Sequence, residues 1–315
     1  MSGRNRLVLT DDSYPPRLKE IPDPPKQLYV RGQSLDLSAP MVGIVGARRC
    51  TEYGESAGYK LGKELAALGI TVVSGMAYGV DSYAHQGALD NGGLTIAVLG
   101  CGVDVCYPKR HRQLMDDIIE RGCVVSEYPD GTQPVAHHFP QRNRIISGLC
   151  LGLVVVEASA KSGALITARC ALAHRRKLMA VPGSIFNEHS VGTNELIRNG
   201  AIPVTNGQDI QEALTSAYGT RSNALPTIDR PILSAASIDK IVSNTKAAPK
   251  QAPAPSFSSP TEAQLYACIS YEAKTADELA YLSGLHIKDV LGALSMLEIN
   301  DHIRRTQGQR FVRTV

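Results

Sequence analysis

The sequence predicts an α/β protein in which a doubly wound, mostly parallel sheet is followed by a small winged-helix-like domain. Between Met41 and Ile210, apolar runs rich in Val, Ile and Leu alternate with stretches of helix length, as in folds built from β-α-β units. A segment rich in Pro, Ala and Ser then interrupts the pattern. Beyond it, helical patterns lead into an alternating run around Gly308, which predicts a hairpin.

Length and composition are those of an ordinary globular protein. The 315 residues suffice for two domains, and 20% are charged and 43% hydrophobic. A net charge of +3 permits a polyanionic partner without requiring one. Seven Cys without paired spacing predict reduced thiols and no zinc site. No apolar run reaches ~18 residues and no signal-peptide core is present, which predicts a cytoplasmic protein that does not enter a membrane.

We divide the chain into four segments. Residues 1–40 contain prolines that prevent a long helix, with a short strand at Leu28–Val30, and we expect this segment to wrap one flank of the next. Residues 41–217 hold the predicted sheet. Its strands are non-alternating, as expected for strands covered on both faces. We place them at Val42–Val45, Thr71–Val73, Thr95–Leu99, Cys123–Ser126, Leu153–Val156, Leu178–Val181 and Ala201–Val204.

The ends of the first two parallel strands predict an anion-binding edge. The first strand ends in Gly46-Ala47-Arg48, and the second ends in Ser74-Gly75 with Gly79 just beyond. Carboxyl ends of parallel strands share one edge, where backbone N–H groups and helix dipoles favour an anion. The spacing is neither Gly-x-Gly-x-x-Gly nor a P-loop, so a dinucleotide or NTP site is not expected.

A second arginine motif, Phe139-Pro140-Gln141-Arg142-Asn143-Arg144, follows a predicted strand. An exposed aromatic ring can stack on a base while arginines hold phosphates, which is how single strands are bound. We therefore assign Phe139, Arg142, Asn143 and Arg144 to a nucleic-acid site, with His137 in the preceding loop near phosphate. The alternative is a helix whose arginines are merely solvated.

The turn after the Leu153–Val156 strand adds a third group to this edge. Ser162 and Gly163 can open a helix whose free N–H groups face the edge, with Lys161 beside them. The nearby Glu157 is expected to orient arginines or to cap a helix. His85 and Asp81 lie four residues apart and suit either a general base or a structural His–Asp hydrogen bond.

The last two segments are a tether and a small domain. Residues 218–259 are rich in Pro, Ala and Ser and predict a flexible linker. In residues 260–315, Thr261 with Gln264 and Thr275 with Glu278 have capping-box spacing, and a helix is predicted over Ile287–Ile299. Arginines then cluster on the wing, where DNA contact and protein contact are weighed equally; they are Arg304, Arg305, Arg310 and Arg313.

Taken together, these motifs resemble the DNA-processing protein A (DprA/Smf) family over residues 14–209. The matching stretches are Gly43-Ile-Val-Gly-Ala-Arg48 with Thr51, Tyr53 and Gly54; Ser74-Gly-Met-Ala-Tyr-Gly-Val-Asp81 with Ala84-His85; Ala97-Val-Leu-Gly100 with Tyr107-Pro108; Ser126-Glu-Tyr128; Phe139 to Gly148; Val155-Val-Glu157; Ser162 to Ala168; Val181-Pro-Gly-Ser184; and Gly200-Ala201.

The resemblance implies an extended Rossmann fold and a non-enzymatic, sequence-independent single-stranded DNA-binding protein without a cofactor. Members coat incoming strands during natural transformation, help to load the RecA recombinase and work as dimers. The DNA pocket would comprise Arg48, the Gly75/Gly79 turn, the Phe139–Arg144 stretch and the Ser162-Gly163 turn. The linker and the winged-helix-like tail are similar to a C-terminal module that some members carry.

Two departures from the family pattern affect these expectations. Many members begin with a small helical domain, and this sequence begins where that domain would end. Members also often place a lysine shortly before the Phe-Pro of the arginine motif, whereas this loop has His137 and His138. If either histidine replaces that lysine, phosphate affinity is weaker and depends more on pH.

Two other functions remain as alternatives. A nucleotide-hydrolysing enzyme of the phosphoribohydrolase type would need a Pro-Gly-Gly-x-Gly-Thr-x-x-Glu loop, but Pro182-Gly183-Ser184 stops short and Glu195 follows a separate Gly-Thr pair. The other alternative is an interaction protein that uses the C-terminal domain as its contact surface.

Overall fold

A computed structural model describes residues 4–33, 39–218, 238, 257–271, 273–306 and 308–314. The chain divides into two compact units, residues 1–247 and residues 248–315. Almost all of the predicted linker, residues 218–259, falls outside the described residues. Each unit is described by itself.

The first unit contains a nine-stranded sheet with the order β1-β2-β6-β5-β4-β3-β7-β8-β9. All neighbouring pairs from β6 to β9 are parallel, while β1 and β2 add an antiparallel edge. The predicted doubly wound, mostly parallel sheet is confirmed. The strands are β1 (Arg4–Val8), β2 (Gln27–Gly32), β3 (Met41–Val45), β4 (Thr71–Ser74), β5 (Thr95–Val98), β6 (Cys123–Ser126), β7 (Gly152–Val155), β8 (Lys177–Ala180) and β9 (Ile202–Pro203).

Helices cover both faces of this sheet, which explains why its central strands do not alternate. Along β7, Leu153 and Val155 join the core beneath one face, whereas Val154 joins the core beneath the other. Both cores are apolar, so every position of β7 is buried. The helices are α1 (Pro16–Lys19), α2 (Glu52–Ala67), α3 (Val80–Asp90), α4 (Arg112–Arg121), α5 (His138–Leu149), α6 (Ala164–Ala173), α7 (Val191–Arg198) and α8 (Gly207–Tyr218).

The N-terminal segment extends the sheet instead of wrapping its flank. Strand β2 pairs antiparallel with β6, with Tyr29 opposite Ser126, and β1 pairs with β2. The predicted strand at Leu28–Val30 is therefore confirmed. The expectation that residues 1–40 wrap one flank of the next segment is wrong. The physical reason lies in the alternation of β2, where Leu28 and Val30 are buried between partly exposed neighbours, as in an antiparallel strand that packs one face on the core and leaves the other partly exposed.

Helices α2 and α3 approach each other closely enough to exclude side chains. A Cβ added to Gly62 would lie 2.2 Å from the carbonyl oxygen of Ala84, and one added to Gly87 would lie 2.0 Å from that of Tyr59. This contact fixes two helices that both begin at the carboxyl edge of the sheet, next to the loops after β3 and β4.

The second unit has the predicted winged-helix architecture. Its helices pack around Leu265, Leu279, Val290, Leu294 and Phe311. The three short strands form a sheet in the order β10-β12-β11. The elements are α9 (Pro260–Cys268), β10 (Lys274–Thr275), α10 (Ala276–Ser283), α11 (Ile287–Ile299), β11 (Ile303–Thr306) and β12 (Arg310–Arg313).

Only one of the two predicted capping boxes is present. Thr275 and Glu278 cap α10 reciprocally, as expected. Thr261 does not cap α9, because Ser259 takes that position and accepts a hydrogen bond from the Glu262 amide. Pro260 explains the difference, since proline is favoured at the first position inside a helix. The cap is therefore Ser259, two residues before Thr261.

Three features bear on expectations drawn from composition. The seven cysteines are free thiols, in agreement with their spacing. Within the described ranges, no group of three or more His, Cys, Asp or Glu side chains is arranged to hold a metal ion. Over the same residues, every helix is too short or too polar to cross a membrane.

Candidate nucleic-acid interface

The loops after β3 and β7 and the start of α5 and α6 enclose a cavity at the carboxyl edge of the sheet. Its volume is about 490 Å³. Three arginines and the first turn of α6 contribute to its lining. The lining residues include Gly46, Ala47, Arg48, Arg49, Ala77, Asp81, Phe139, Arg142, Asn143, Ser162, Gly163, Thr167 and His189.

Arg48 lies at the mouth of this cavity. Its side chain is exposed, and its guanidinium is 5.5 Å from the centre of the Phe139 ring. The loop after β4 presses on the backbone that carries Arg48, because a Cβ at Gly79 would lie 2.3 Å from the carbonyl oxygen of Ala47. Gly79 also has φ of +75°, which glycine adopts without strain. The predicted Gly79 turn therefore positions Arg48 without lining the cavity.

Arg142 occupies the floor of the cavity and is only 3% exposed. Its Nη1 donates a hydrogen bond of 2.8 Å to the carbonyl oxygen of Gly75 and another to that of Val98. Burial lowers the pKa of Arg142 to about 10, although nearby Asp81 opposes this change. Burial raises the pKa of Asp81, and the positive charge of Arg142 acts against that rise. Arg142 thus joins the ends of β4 and β5 beneath the cavity.

Arg144 points away from the cavity, contrary to expectation. Its Nη2 lies 2.7 Å from Glu127 Oε2, and its Nε lies 3.2 Å from Asp23 Oδ2. Two residues along a helix correspond to roughly 200° of rotation, so Arg142 and Arg144 face opposite sides of α5. Arg144 therefore does not line the cavity beside Arg48.

The remaining residues of this motif surround an aromatic cluster. Asn143 lines the cavity, and its Oδ1 accepts a hydrogen bond of 3.2 Å from Arg142 Nε. The Phe139 ring lies against the Tyr107 ring, with centroids 5.3 Å apart. His137 is exposed and does not line the cavity, and its ring packs edge-on against His138.

The first turn of α6 brings backbone N–H groups to the cavity. Gly163 precedes the helix, and Ser162 Oγ accepts a hydrogen bond of 3.3 Å from the Ala164 amide. The positive end of the helix dipole lies here. Lys161 is exposed but does not line the cavity. Ser74 is buried and donates to the carbonyl oxygen of Ile44, so it supports the strand end instead of facing the cavity.

Comparisons with known proteins identify the family of the chain. The sequence model described as "DNA recombination-mediator protein A" matches residues 5–215, and a model of the DprA winged helix domain matches residues 245–309. The chain belongs to the DprA/Smf family. The DNA processing protein DprA of Streptococcus pneumoniae strain R6 is 46% identical over 202 residues, which cover 64% of this chain and 71% of that protein.

Other DprA/Smf proteins match at similar levels. Protein Smf of Escherichia coli K12 is 45% identical over 67% of this chain and 57% of its own length. The X-ray structure of S. pneumoniae DprA superposes with a TM-score of 0.64 at 45% identity, covering 66% of this chain and 73% of that one. A Helicobacter pylori DprA structure, described for its single-stranded DNA binding mode, has a TM-score of 0.60 at 32% identity, with 68% and 96% covered.

Two acidic side chains near the cavity of this DprA/Smf protein accept hydrogen bonds from the loops around it. Glu157 is fully buried and accepts hydrogen bonds from the amide and hydroxyl of Thr51, the residue that caps α2. This confirms the capping role expected of Glu157. Asp81 accepts hydrogen bonds from the amides of Gly75 and Ala77.

His85 and Glu195, which were considered for catalysis, form contacts with neighbouring side chains. His85 Nδ1 lies 2.6 Å from Thr95 Oγ1, and its Nε2 has no hydrogen-bond partner among the described residues. The structural His85–Asp81 hydrogen bond, one of the two alternatives, is therefore not formed. Burial lowers the pKa of His85 to about 3, which keeps it neutral. Glu195 Oε1 lies 2.6 Å from Arg198 Nη2 and also accepts a hydrogen bond from Asn199.

Among the lining residues that sequence reasoning missed at this edge, four have cationic or aromatic side chains. Arg49 and His189 line the cavity, and Tyr78 and Tyr107 line a smaller recess beside it. Both tyrosines stand in motifs that carried the family resemblance, next to Gly79 and before Pro108. The sequence signal was therefore present, but aromatic residues in loops are not distinguishable from core residues without the fold.

Proposed function

We propose that this DprA/Smf protein binds single-stranded DNA without regard to sequence, protects incoming strands and helps to load RecA during natural transformation and recombination. It acts in the cytoplasm, as a homodimer and without catalysis. The observation that carries the proposal is the open cavity at the sheet edge. It combines the exposed guanidinium of Arg48 with the N-terminal turn of α6, and both favour phosphate.

The cavity chemistry supports a polyphosphate chain over a small nucleotide substrate. Its two carboxylate-bearing neighbours are occupied, since Asp81 accepts from backbone amides and Glu157 from Thr51. Glu195, the acid that a phosphoribohydrolase-like enzyme would need, is held by Arg198. The H. pylori relative, described as binding single-stranded DNA, adds support from a protein whose chain is matched almost completely.

A binding comparison tests the proposal. Gel shifts of the purified protein with oligothymidylate, a mixed-sequence single strand and a duplex should show similar, salt-sensitive affinity for both single strands and weaker affinity for the duplex. Equal affinity for duplex and single strands would contradict it. Release of free base from nucleoside monophosphates, lost in a Glu195→Ala variant, would support the enzymatic alternative.

The recombination role needs its own assay. DNA-dependent ATP hydrolysis by RecA on strands already coated with a single-strand-binding protein should start sooner when this protein is added. Light scattering with size-exclusion chromatography should give twice the monomer mass. An unchanged lag, with DNA binding intact, would limit the function to strand protection.

A further inference from the structure

The ring of Phe139, the aromatic residue expected to stack on DNA bases, is largely covered by its neighbours. The guanidinium of Arg48 lies over it at 5.5 Å, and the Tyr107 ring contacts it at 5.3 Å. The backbone of Gly100 lies against its edge, because a Cβ at Gly100 would be 3.2 Å from Phe139 Cδ1. These three contacts occupy much of the ring surface, so we assign Phe139 a supporting role.

Two exposed tyrosines, Tyr78 and Tyr107, line the same recess as Phe139. Tyr107 is 40% exposed and Tyr78 is 45% exposed, so a face of each ring is accessible to a ligand. Each is held by a neighbouring ring, Tyr107 by Phe139 and Tyr78 by His111 at 5.0 Å with an edge-on geometry. His111 is itself fixed, since its Nδ1 lies 3.0 Å from the carbonyl oxygen of Met76. Rings held in this way lose little conformational entropy when a ligand stacks on them.

The surroundings of the two tyrosines are cationic. Both rings line a recess together with Arg48 and Arg142, and no carboxylate contributes to its described lining. The turn that follows Tyr107 and Pro108 then exposes three cations in succession, Lys109, Arg110 and Arg112. A strand that leaves the Arg48 cavity over the tyrosines would therefore meet further positive charge. Alternation of aromatic rings with cations is the pattern by which single strands are held without sequence readout.

We propose that Tyr78 and Tyr107 form a base-stacking platform on which nucleobases of a single strand lie while its phosphates contact Arg48. This inference rests on the proposed function and specifies the part of the ligand that each group takes. Duplex DNA cannot use the platform, because paired bases are stacked on one another and do not present a free face. The platform thus accounts for the preference for single strands that the cations alone do not provide.

Fluorescence anisotropy with two probes tests the platform, using oligothymidylate and an abasic oligomer of the same length. Tyr107→Ala and Tyr78→Ala should each weaken binding to oligothymidylate on the order of 10-fold, the range for one lost base stack. Both variants should bind the abasic oligomer as the wild type does. Tyr107→Phe should retain full affinity, because the ring remains. The salt slope should not change, since no phosphate contact is lost.

Tyr281→Ala is the matched control, because Tyr281 is 89% exposed and lies in the second unit. Thermal melts establish that the variants are folded. If the wild type and Tyr281→Ala bind oligothymidylate and the platform variants bind it equally well, the platform is wrong and the proposed function stands. An equal loss on the abasic oligomer would also overturn the platform. If the wild type binds no single strand, both proposals fail.

Discussion

Arginine has different roles in the two units. At the sheet edge of the first unit, Arg48 is exposed beside a cavity and contacts the Phe139 ring. On the wing of the second unit, Arg313 donates to the Tyr266 carbonyl oxygen and lies 4.3 Å from that ring, and Arg310 donates to the Ala273 carbonyl oxygen. A cluster of arginines in the sequence therefore does not by itself indicate a DNA-binding surface, because its members can instead bind carbonyl groups and rings of the protein itself.

Arg305, also on the wing, is likewise paired within the second unit. It pairs with Glu298 at 3.3 Å and lies over the Phe311 ring. Of the four arginines predicted on the wing, Arg304 is exposed and has no carboxylate partner in the described part of the chain. We therefore expect the first unit to supply most of the affinity for single strands, and the following variants test that expectation.

Arg142→Ala should give the largest effect, and the effect should be on stability. The substitution leaves the carbonyls of Gly75 and Val98 without their donor and Asp81 without the nearby positive charge, which costs on the order of 3–5 kcal/mol for a buried charged group. Urea unfolding measures this loss. Lys63→Ala, an exposed position on α2, is the control. A stable Arg142→Ala protein that merely loses DNA would show that Arg142 is a direct contact.

Arg48→Ala should weaken binding to single strands by about 1–3 kcal/mol, the range for a lost charge-assisted phosphate contact. The stability of the Arg48→Ala protein should fall by less than about 1 kcal/mol, because the side chain is exposed and only its contact with the Phe139 ring is lost. Gel shifts at fixed salt measure the affinity, again with Lys63→Ala as the control. Loss of stability together with affinity would remove the distinction between Arg48 and Arg142.

Arg313→Ala should destabilise the second unit by about 1 kcal/mol, since one hydrogen bond to a backbone carbonyl and a cation–π contact are lost. Single-strand affinity should not change. A thermal melt and a gel shift on the same preparation measure both quantities. A clear loss of DNA binding, with the melt unchanged, would assign the wing to the DNA interface.

Acid pH should act on folding, because two histidines, His85 and His174, have lowered pKa values in the folded protein. Burial, with the charges of Arg176 and Arg144, lowers the pKa of His174 to about 4 from the usual 6.5. The unfolded chain therefore binds a proton that the folded protein does not, so stability present above pH 6.5 is lost as the pH falls toward 4. The melting temperature should decline over this window, and less steeply in His174→Gln. Equal declines would exclude His174 as the cause.

The fold was more predictable than the site, for a physical reason. Apolar runs report burial on both faces, so the seven predicted strands of the sheet match β3 to β9 closely. The strand pairing of the N-terminal segment was not predictable, because pairing depends on contacts between residues far apart in sequence. Glycine positions such as Gly79 were predictable, since a tight turn restricts residue choice strongly.

Within the site, the sequence identified the motifs but not the role of each side chain. Arg142 and Arg144 are chemically identical and two residues apart, yet one lies beneath the cavity and the other pairs with Glu127. Phe139 was predicted as the stacking residue, but Arg48 and Tyr107 cover its ring. Such distinctions depend on which neighbour a helix face meets, and that information exists only in the folded structure.

The salt dependence of single-strand binding tests the central claim most directly. Each phosphate contact that is removed should lower the slope of log K against log salt by about 0.7 for a single strand. We expect Arg48→Ala to lower the slope by about this amount, and Arg304→Ala on the wing to leave it unchanged. A lower slope in Arg304→Ala with no change in Arg48→Ala would contradict the assignment of the sheet edge as the DNA-binding surface.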